Sequence, residues 1–166
     1  MLDVVVKPLM EDNLLLLNQA IRREPFTHYE RYLSQCSGIL NYLIAWCDGL
    51  PIGIVMVRWK GKSLPVLERR YPGCPHLIDL YVVAAYRGCG VGTRLMLAAE
   101  QAVRVRGYAH LGLSVALQNR RARDLYERRG YQDVGLDTYH ISWTEVDGEG
   151  KSREIEDECI YLVRTL

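Results

Sequence analysis

Three glycines at alternate positions, Gly88, Gly90 and Gly92, stand between a run of β-formers and an apolar helical pattern in the stretch YRGCGVGTRL. The first N–H groups of a helix have no internal hydrogen-bond partner, and the helix dipole favours negative charge beside them. Residues without side chains let a phosphate approach those N–H groups closely. The spacing therefore predicts a cradle for a phosphate or pyrophosphate; a tight strand-to-helix turn without a ligand is the alternative.

Two familiar phosphate-binding patterns do not match this loop. A P-loop needs a lysine before its final serine or threonine, and no lysine accompanies Thr93. The dinucleotide fingerprint places its third glycine three residues after the second, whereas Gly92 follows Gly90 by only two. The pattern that fits is R-x-x-G-x-G, from Arg87 to Gly92.

A second motif follows in NRRARDLYERRGY, residues 119–131, and it fits N-x-x-A-x-x-L-Y-x-x-x-G-[FY]. The glycine loop, within LIDLYVVAAYRGCGVGTRLM, precedes it, and a predicted helix and strand separate the two. In this order the motifs resemble those of the GNAT superfamily of acetyl-CoA-dependent N-acetyltransferases, over about residues 76–131. The matching residues of the second motif are Asn119, Ala122, Leu125, Tyr126, Gly130 and Tyr131.

The resemblance implies that acetyl-CoA is the co-substrate. Residues 80–82 would end a central strand that diverges from the strand at 111–115, so that the pantetheine arm bonds to their exposed backbone. An N–H near Val82 would stabilise the oxyanion, and the backbone of residues 88–93 would surround the pyrophosphate, with Arg87 adding charge. The residues expected to contact acetyl-CoA are Leu80, Tyr81, Val82, Arg87, Gly88, Cys89, Gly90, Val91, Gly92, Thr93, Asn119 and Tyr126.

Two residues of the second motif have further expected roles. By resemblance the Tyr126 hydroxyl protonates the leaving thiolate, which suits a phenol that is still protonated at pH 7; the alternative is an aromatic packing residue. Asn119 is expected both to cap the second helix and to contact the cofactor arm. Cys89 occupies a variable position of the family, and the chemistry does not require its thiol.

Direct transfer needs a neutral amine, and deprotonating a lysine-like amine at pH 7 costs roughly 4–5 kcal/mol. Some members of the family place a glutamate on the strand after the glycine-loop helix, but Ser114 holds that position here. Asp79 is the best replacement, because apolar neighbours would bury it and raise its pKa; its alternative is a carboxylate bonded to backbone or to an arginine. A relay through water is left open, and the weaker candidates are His28, Glu30, Glu68 and His76.

The resemblance places the acceptor amine between the first two helices and the late hairpin, that is, against residues 22–32, Tyr139, His140 and Trp143. Such loops vary with the substrate, so a small-molecule amine and a peptide or protein amine both remain open. We therefore predict an N-acetyltransferase that acts by direct attack. The alternatives are a CoA-binding sensor or interaction module without catalysis, and an enzyme that uses another acyl-CoA.

Composition limits the partners. A net charge of +1 offers no basic field for a nucleic acid, and no apolar run is long enough to cross a bilayer. The start MLDVVVKPL does not resemble a signal peptide, and five cysteines without a C-x-x-C pair favour reduced thiols in the cytoplasm. Cys74 and His76 lack a second ligand pair nearby, so no metal is expected. A homodimer is left open.

The elements that must position these residues follow from periodicity and turn signals. We predict one α+β domain over residues 1–166, in the order β-α-α-β-β-β-α-β-α-β-β. A central, mostly antiparallel sheet of six to seven strands would be flanked by about four helices. Residues 61–75, with three prolines and two glycines, are predicted to be a loop, and a final hairpin is predicted to pair 138–146 with 155–165.

Overall fold

The computed structural model describes residues 2–166, which form five α-helices, eight strands and two short 3₁₀ turns. The helices are α1 (Leu14–Ala20), α2 (Thr27–Cys36), α3 (Pro65–Arg70), α4 (Val91–Val105) and α5 (Arg120–Arg128). The strands are β1 (Val5–Pro8), β2 (Leu40–Cys47), β3 (Leu50–Arg58), β4 (His76–Val82), β5 (His110–Ala116), β6 (Gln132–Asp133), β7 (Tyr139–Val146) and β8 (Ser152–Thr165).

The strands form one mixed sheet in the order β1-β2-β3-β4-β5-β8-β6, and β7 pairs with β8 beside this path. Every pairing is antiparallel except that of β4 with β5, which is parallel. Parallel neighbours need a crossover, and α4 supplies it between these two strands. The α+β class and the largely antiparallel sheet are therefore confirmed.

Helices cover both faces of this sheet. On one face α4 and α5 pack against β2, β3 and β5, with Leu95 and Ala99 fully buried. On the other face α1 and α2 cover β2 and β3, and Leu17 and Ile21 are buried there. Because both faces are covered, β2 and β3 are almost continuously buried and show no alternation of polar and apolar residues.

Two elements were not predicted. The segment 61–75 contains α3, which begins at Pro65; proline fits the first position of a helix, where its missing N–H would have no partner anyway. Buried Leu67 anchors α3 against β8. The two-residue β6 pairs with β8 and is too short to show a period-2 pattern. None of the helices in residues 2–166 has both the length and the apolar content needed to cross a bilayer.

Candidate functional site

The three glycines of the loop differ in backbone conformation. Gly88 and Gly90 have φ angles of 82° and 81°, in the left-handed region where side chains are strained. Gly92 lies inside α4 with ordinary helical backbone, and a Cβ added there would meet Leu125 Cδ2 at 3.5 Å and Val82 Cγ2 at 3.9 Å. The backbone conformation therefore requires glycine at positions 88 and 90, but not at position 92.

The turn leaves a row of free donors at the start of α4. No backbone N–H from Gly88 to Thr93 donates a hydrogen bond to another of the described residues 2–166, and no side chain caps the helix. The first bonded N–H after this row is that of Arg94, which donates to Gly90 O over 3.1 Å. Free N–H groups at a helix N-terminus, beside residues in the left-handed conformation, form a concave site for an anion.

Beside this loop the sheet opens. β4 and β5 pair through Leu77 and Leu113 and no further along the described chain. The C-terminal half of β4 therefore has a partner on its β3 side only. The expected divergence of residues 80–82 from residues 111–115 is confirmed, and the gap between these strands exposes main-chain groups of β4.

The register between β3 and β4 shows which groups face this gap. Val83 N donates to Ile52 O over 2.9 Å, and residue pairs of antiparallel strands alternate between bonded and non-bonded types. Val82, which is opposite Gly53, is therefore in a non-bonded pair and directs its N–H toward the gap. Its carbonyl accepts a hydrogen bond from Arg87 Nε over 2.9 Å. The N–H needed at Val82 is thus available.

A β-bulge shapes β4 just before this point. The register with β3 shifts between Ile54 and Met56, because Asp79 and Leu80 together face one residue of β3. Asp79 has a φ of 51°, which is unusual for a residue with a side chain. After the bulge, Leu80 packs toward α4 whereas Tyr81 packs toward α1 and α2.

Asp79 is held by two arginines from the segment around α2. Its carboxylate pairs with Arg23 Nη2 at 3.0 Å and with Arg31 Nη1 at 2.6 Å, and the Arg23 guanidinium lies 4.8 Å from the centre of the Tyr81 ring. Burial acts to raise the pKa of Asp79, but the charges and hydrogen bonds of Arg23 and Arg31 outweigh it and hold the pKa below its ordinary value. The expectation of a raised pKa is wrong, and the alternative of an arginine-paired carboxylate is confirmed.

Asn119 immediately precedes α5, and Tyr126 lies within this helix. Asn119 Oδ1 accepts a hydrogen bond from Ala122 N over 3.1 Å, so its predicted capping role is confirmed. Tyr126 is buried in the same cluster as Val82, and burial raises its pKa to about 12. Its hydroxyl makes no hydrogen bond to the protein within residues 2–166. A protonated phenol with a free donor therefore lies in the core that borders the gap.

Ser114 has a partner that the sequence did not reveal. The Tyr139 hydroxyl donates to Ser114 Oγ over 2.7 Å, and Lys62 Nζ lies 3.5 Å from the centre of the Tyr139 ring. Burial raises the pKa of Tyr139 to about 12 and lowers the pKa of Lys62. Lys62 is in the segment predicted to be a loop, and no local pattern links it to residues so far away in sequence.

The two histidine candidates for a base are core residues. His28 Nε2 lies 2.6 Å from Ile21 O, and burial lowers the pKa of His28. His76 stacks on Tyr161, with its Nδ1 3.1 Å from the hydroxyl, and burial lowers the pKa of His76 to about 3. Both rings are engaged in packing and hydrogen bonding away from the gap. Glu30 and Glu68, by contrast, are exposed.

Two further side chains lie at or near the glycine loop, those of Arg94 and Cys89. Arg94 Nη1 donates to Val4 O over 3.2 Å, which ties α4 to the chain before β1. Cys89 is exposed on the loop. Within the described part of the chain, residues 2–166, no three His, Cys, Asp or Glu side chains group as metal ligands.

The two parts of the chain that the resemblance assigns to the acceptor site contact each other. Arg22 Nη1 donates to Gly148 O over 2.8 Å, and Ser152 Oγ is hydrogen-bonded to Glu24, so the segment between α1 and α2 touches the β7–β8 hairpin. Tyr139 faces Ser114, and strand residues alternate sides, so His140 points away and pairs with Glu156 at the surface. Of the hairpin residues expected at the acceptor, His140 therefore lies on the opposite face of β7 from Tyr139.

Known proteins resemble this chain in sequence and in fold. The family model described as the acetyltransferase (GNAT) family matches residues 9–131. A thialysine N-epsilon-acetyltransferase of Bos taurus is 33% identical over 135 residues, which are 75% of this chain and 70% of that protein. An N-alpha-acetyltransferase of Sulfurisphaera tokodaii is 26% identical over 146 residues, 83% of this chain and 81% of that protein. The PaiA N-acetyltransferase of Thermoplasma acidophilum, solved with coenzyme A, has a TM-score of 0.64 at 17% identity and covers 99% of both chains.

Proposed function

Because the chain belongs to the acetyltransferase (GNAT) family and is an acyltransferase, we propose that it transfers an acetyl group from acetyl-CoA to a primary amine by direct attack. The observation that carries this proposal is the row of free N–H groups from Gly88 to Thr93 beside the free N–H of Val82. The first set suits a pyrophosphate, and the second suits a carbonyl oxygen that becomes negative. Two relatives named for amine acetylation support the acceptor class.

The main chain would make most of the contacts with acetyl-CoA. The N–H groups of Gly88, Cys89, Gly90, Val91, Gly92 and Thr93 bind the pyrophosphate, and the exposed backbone of residues 80–82 pairs with the pantetheine arm. Arg87 is fixed through its Nε to Val82 O, which leaves its Nη groups to face the phosphates. The backbone near Asn119 lines the other side of the arm. Coenzyme A bound in the Thermoplasma acidophilum structure supports this choice of co-substrate.

Tyr126 is proposed to act on the sulfur. Its pKa of about 12 exceeds the ordinary thiol value of about 8.5, so complete proton transfer to a thiolate would be uphill by roughly 5 kcal/mol. A hydrogen bond from the phenol, shortened as negative charge develops, stabilises the leaving sulfur without that penalty. Tyr126 therefore serves as a positioned donor that stays protonated throughout the neutral pH range.

The amine proton needs another route, because Asp79 is neutralised by its arginines. We propose that a water held by the Ser114–Tyr139 hydroxyl pair relays it to solvent. The Lys62 ammonium beside Tyr139 would lower the pKa of an incoming ammonium by like-charge repulsion, which favours the reactive neutral amine.

The test is a thiol-release assay with acetyl-CoA and a panel of amines, with Tyr126→Phe beside Tyr131→Phe. Both variants lose one tyrosine hydroxyl, but that of Tyr131 lies 3.4 Å from Glu100 Oε1, away from the gap. Tyr126→Phe should lower kcat by roughly 10²–10³, the effect of removing one hydrogen-bond donor to a developing negative charge. Its affinity for acetyl-CoA in calorimetry should be unchanged. An equal, small effect of both variants on kcat would refute the role of Tyr126.

The same assay separates the alternatives. Binding of acetyl-CoA without thiol release for any amine would indicate a CoA-binding sensor or interaction module, which the serine at position 114 favours. Faster release from propionyl-CoA or succinyl-CoA would indicate another acyl donor. The cytoplasmic location, the absence of nucleic-acid and membrane partners, and the homodimer stay predictions.

A further inference from the structure

On the acceptor side of β4, two arginine side chains pair with one carboxylate. Arg23 and Arg31 converge on the single carboxylate of Asp79. Within this cluster, two guanidinium groups therefore face one carboxylate.

The hydrogen bonds of the two arginines are also unequal. Arg23 uses all three nitrogens, two on Asp79 and one on Arg22 O. Arg31 uses only Nη1, on Asp79 and on the Tyr42 hydroxyl. Its Nε and Nη2 have no acceptor among residues 2–166, and neither atom is among the buried polar atoms that lack a partner, so both reach solvent. Arg31 thus has an unused pair of N–H donors, the geometry that suits a carboxylate.

This arginine pair lies beside the reaction site. Asp79 is three residues before Val82, whose N–H faces the gap, and three residues of strand span roughly 10 Å. Arg23 comes from the segment between α1 and α2 that meets the β7–β8 hairpin, and Arg31 lies just after it in the first half of α2. The family resemblance places the acceptor against these elements. A molecule that reaches from Arg31 to the gap would therefore carry its anionic group and its amine several bonds apart.

We propose that Arg31, held in place by Asp79 and Arg23, binds a carboxylate of the acceptor, so that the acceptor is an amine that also carries a carboxylate several bonds from the reacting nitrogen. The same two guanidinium groups already bind one carboxylate, that of Asp79. This inference rests on the proposed acetyl transfer. It identifies the acceptor as an amino acid or a peptide with a free carboxylate rather than a simple polyamine.

The test uses pairs of amines that differ only by the carboxylate: lysine and cadaverine, ornithine and putrescine, thialysine and bis(2-aminoethyl) sulfide, and a lysyl peptide as free acid and as amide. With the wild-type protein, kcat/KM should be at least tenfold higher for the carboxylate member of any pair that is turned over. Arg31→Gln should lower that value at least tenfold through KM, and should change the value for the other member less than threefold. Arg31→Lys, which keeps the charge, should recover part of the preference.

The outcomes are distinguishable. Equal rates within each pair, or turnover only of amines without a carboxylate, would overturn this inference and leave acetyl transfer intact. An equal loss for both members in Arg31→Gln, with kcat rather than KM affected, would show that Arg31 has only a structural role and would also overturn it. Binding of acetyl-CoA with no amine turned over would overturn the proposed function, and the inference with it.

Discussion

Gly90 and Gly92, two residues apart, should respond in opposite ways to the same substitution. Gly90 precedes α4 with a φ of 81°, whereas Gly92 is inside the helix. An alanine at position 90 must either accept the left-handed conformation or rearrange the turn. An alanine at position 92 needs no change of backbone, and its Cβ would make ordinary contacts with Leu125 and Val82.

The magnitudes follow from these geometries. Left-handed backbone costs an alanine roughly 1–2 kcal/mol, and a chain of this size loses about 2–4 °C in Tm per kcal/mol. Gly90→Ala should therefore lower Tm by roughly 2–8 °C. Glycine inside a helix is about 1 kcal/mol less favourable than alanine, so Gly92→Ala should raise Tm by up to about 4 °C. Loss of one N–H bond to a phosphate costs about 1.5–3 kcal/mol, which is tenfold or more in Kd.

Thermal unfolding without ligand, together with calorimetry of CoA binding, measures both effects. Gly90→Ala should bind CoA at least tenfold more weakly, and Gly92→Ala should stay within threefold of the wild type. Because Gly92→Ala has the same change in composition, it controls for the added methyl group. A folded Gly90→Ala variant that binds CoA normally, although its crystal structure shows a rearranged turn, would refute the claim that the turn conformation aims the free N–H groups at the phosphates.

Three further substitutions test the framework around the site. Glu100 is fully buried and pairs with Arg129 and Arg164. Glu100→Ala should therefore lower the free energy of unfolding, measured in urea, by about 3 kcal/mol. A loss below about 1 kcal/mol would contradict the importance of these ion pairs. A Cβ at Gly112 would collide with the Tyr161 ring, so Gly112→Ala should cost about 1–3 kcal/mol, and an unchanged Tm would mean that the ring moves freely. Because the pKa of Asp79 is held below its unfolded value of 3.8, its ion pairs stabilise fully above about pH 4 and are lost as the pH falls through the folded pKa. The stability of the wild type should thus fall more steeply below pH 4 than that of Asp79→Asn, and parallel curves would disprove the shift.

The glycine loop, the strand before it and the two following helices could be predicted because each has a local signal. Left-handed turns need glycine, an asparagine caps α5, and apolar spacing marks α4. The Asp48-Gly49 hairpin is equally local, and both residues have positive φ in the structure. The main-chain conformation on which the proposed CoA site depends therefore follows from local sequence signals.

The side-chain chemistry of the acceptor site could not be predicted, because it depends on contacts between distant segments. Arg23 and Arg31 are 56 and 48 residues from Asp79, so the apolar neighbours of Asp79 suggested a raised pKa when the real surroundings lower it. The Ser114–Tyr139 bond likewise joins strands 25 residues apart. Helix α3 was missed for another reason, since its one proline, Pro65, is compatible with both a loop and a helix start.

The separation of β4 from β5 beyond Leu77 and Leu113 also affects the stability of the protein when no ligand is bound. Main-chain donors and acceptors in the middle of a sheet then form an internal edge, the kind of surface at which other chains add strands. A ligand that binds only the folded state stabilises it by about 2.7 kcal/mol at a hundred times its Kd. Under the proposed assignment, acetyl-CoA would complete the sheet as well as supply the acyl group, and the cofactor-depleted protein would be the form most prone to aggregate.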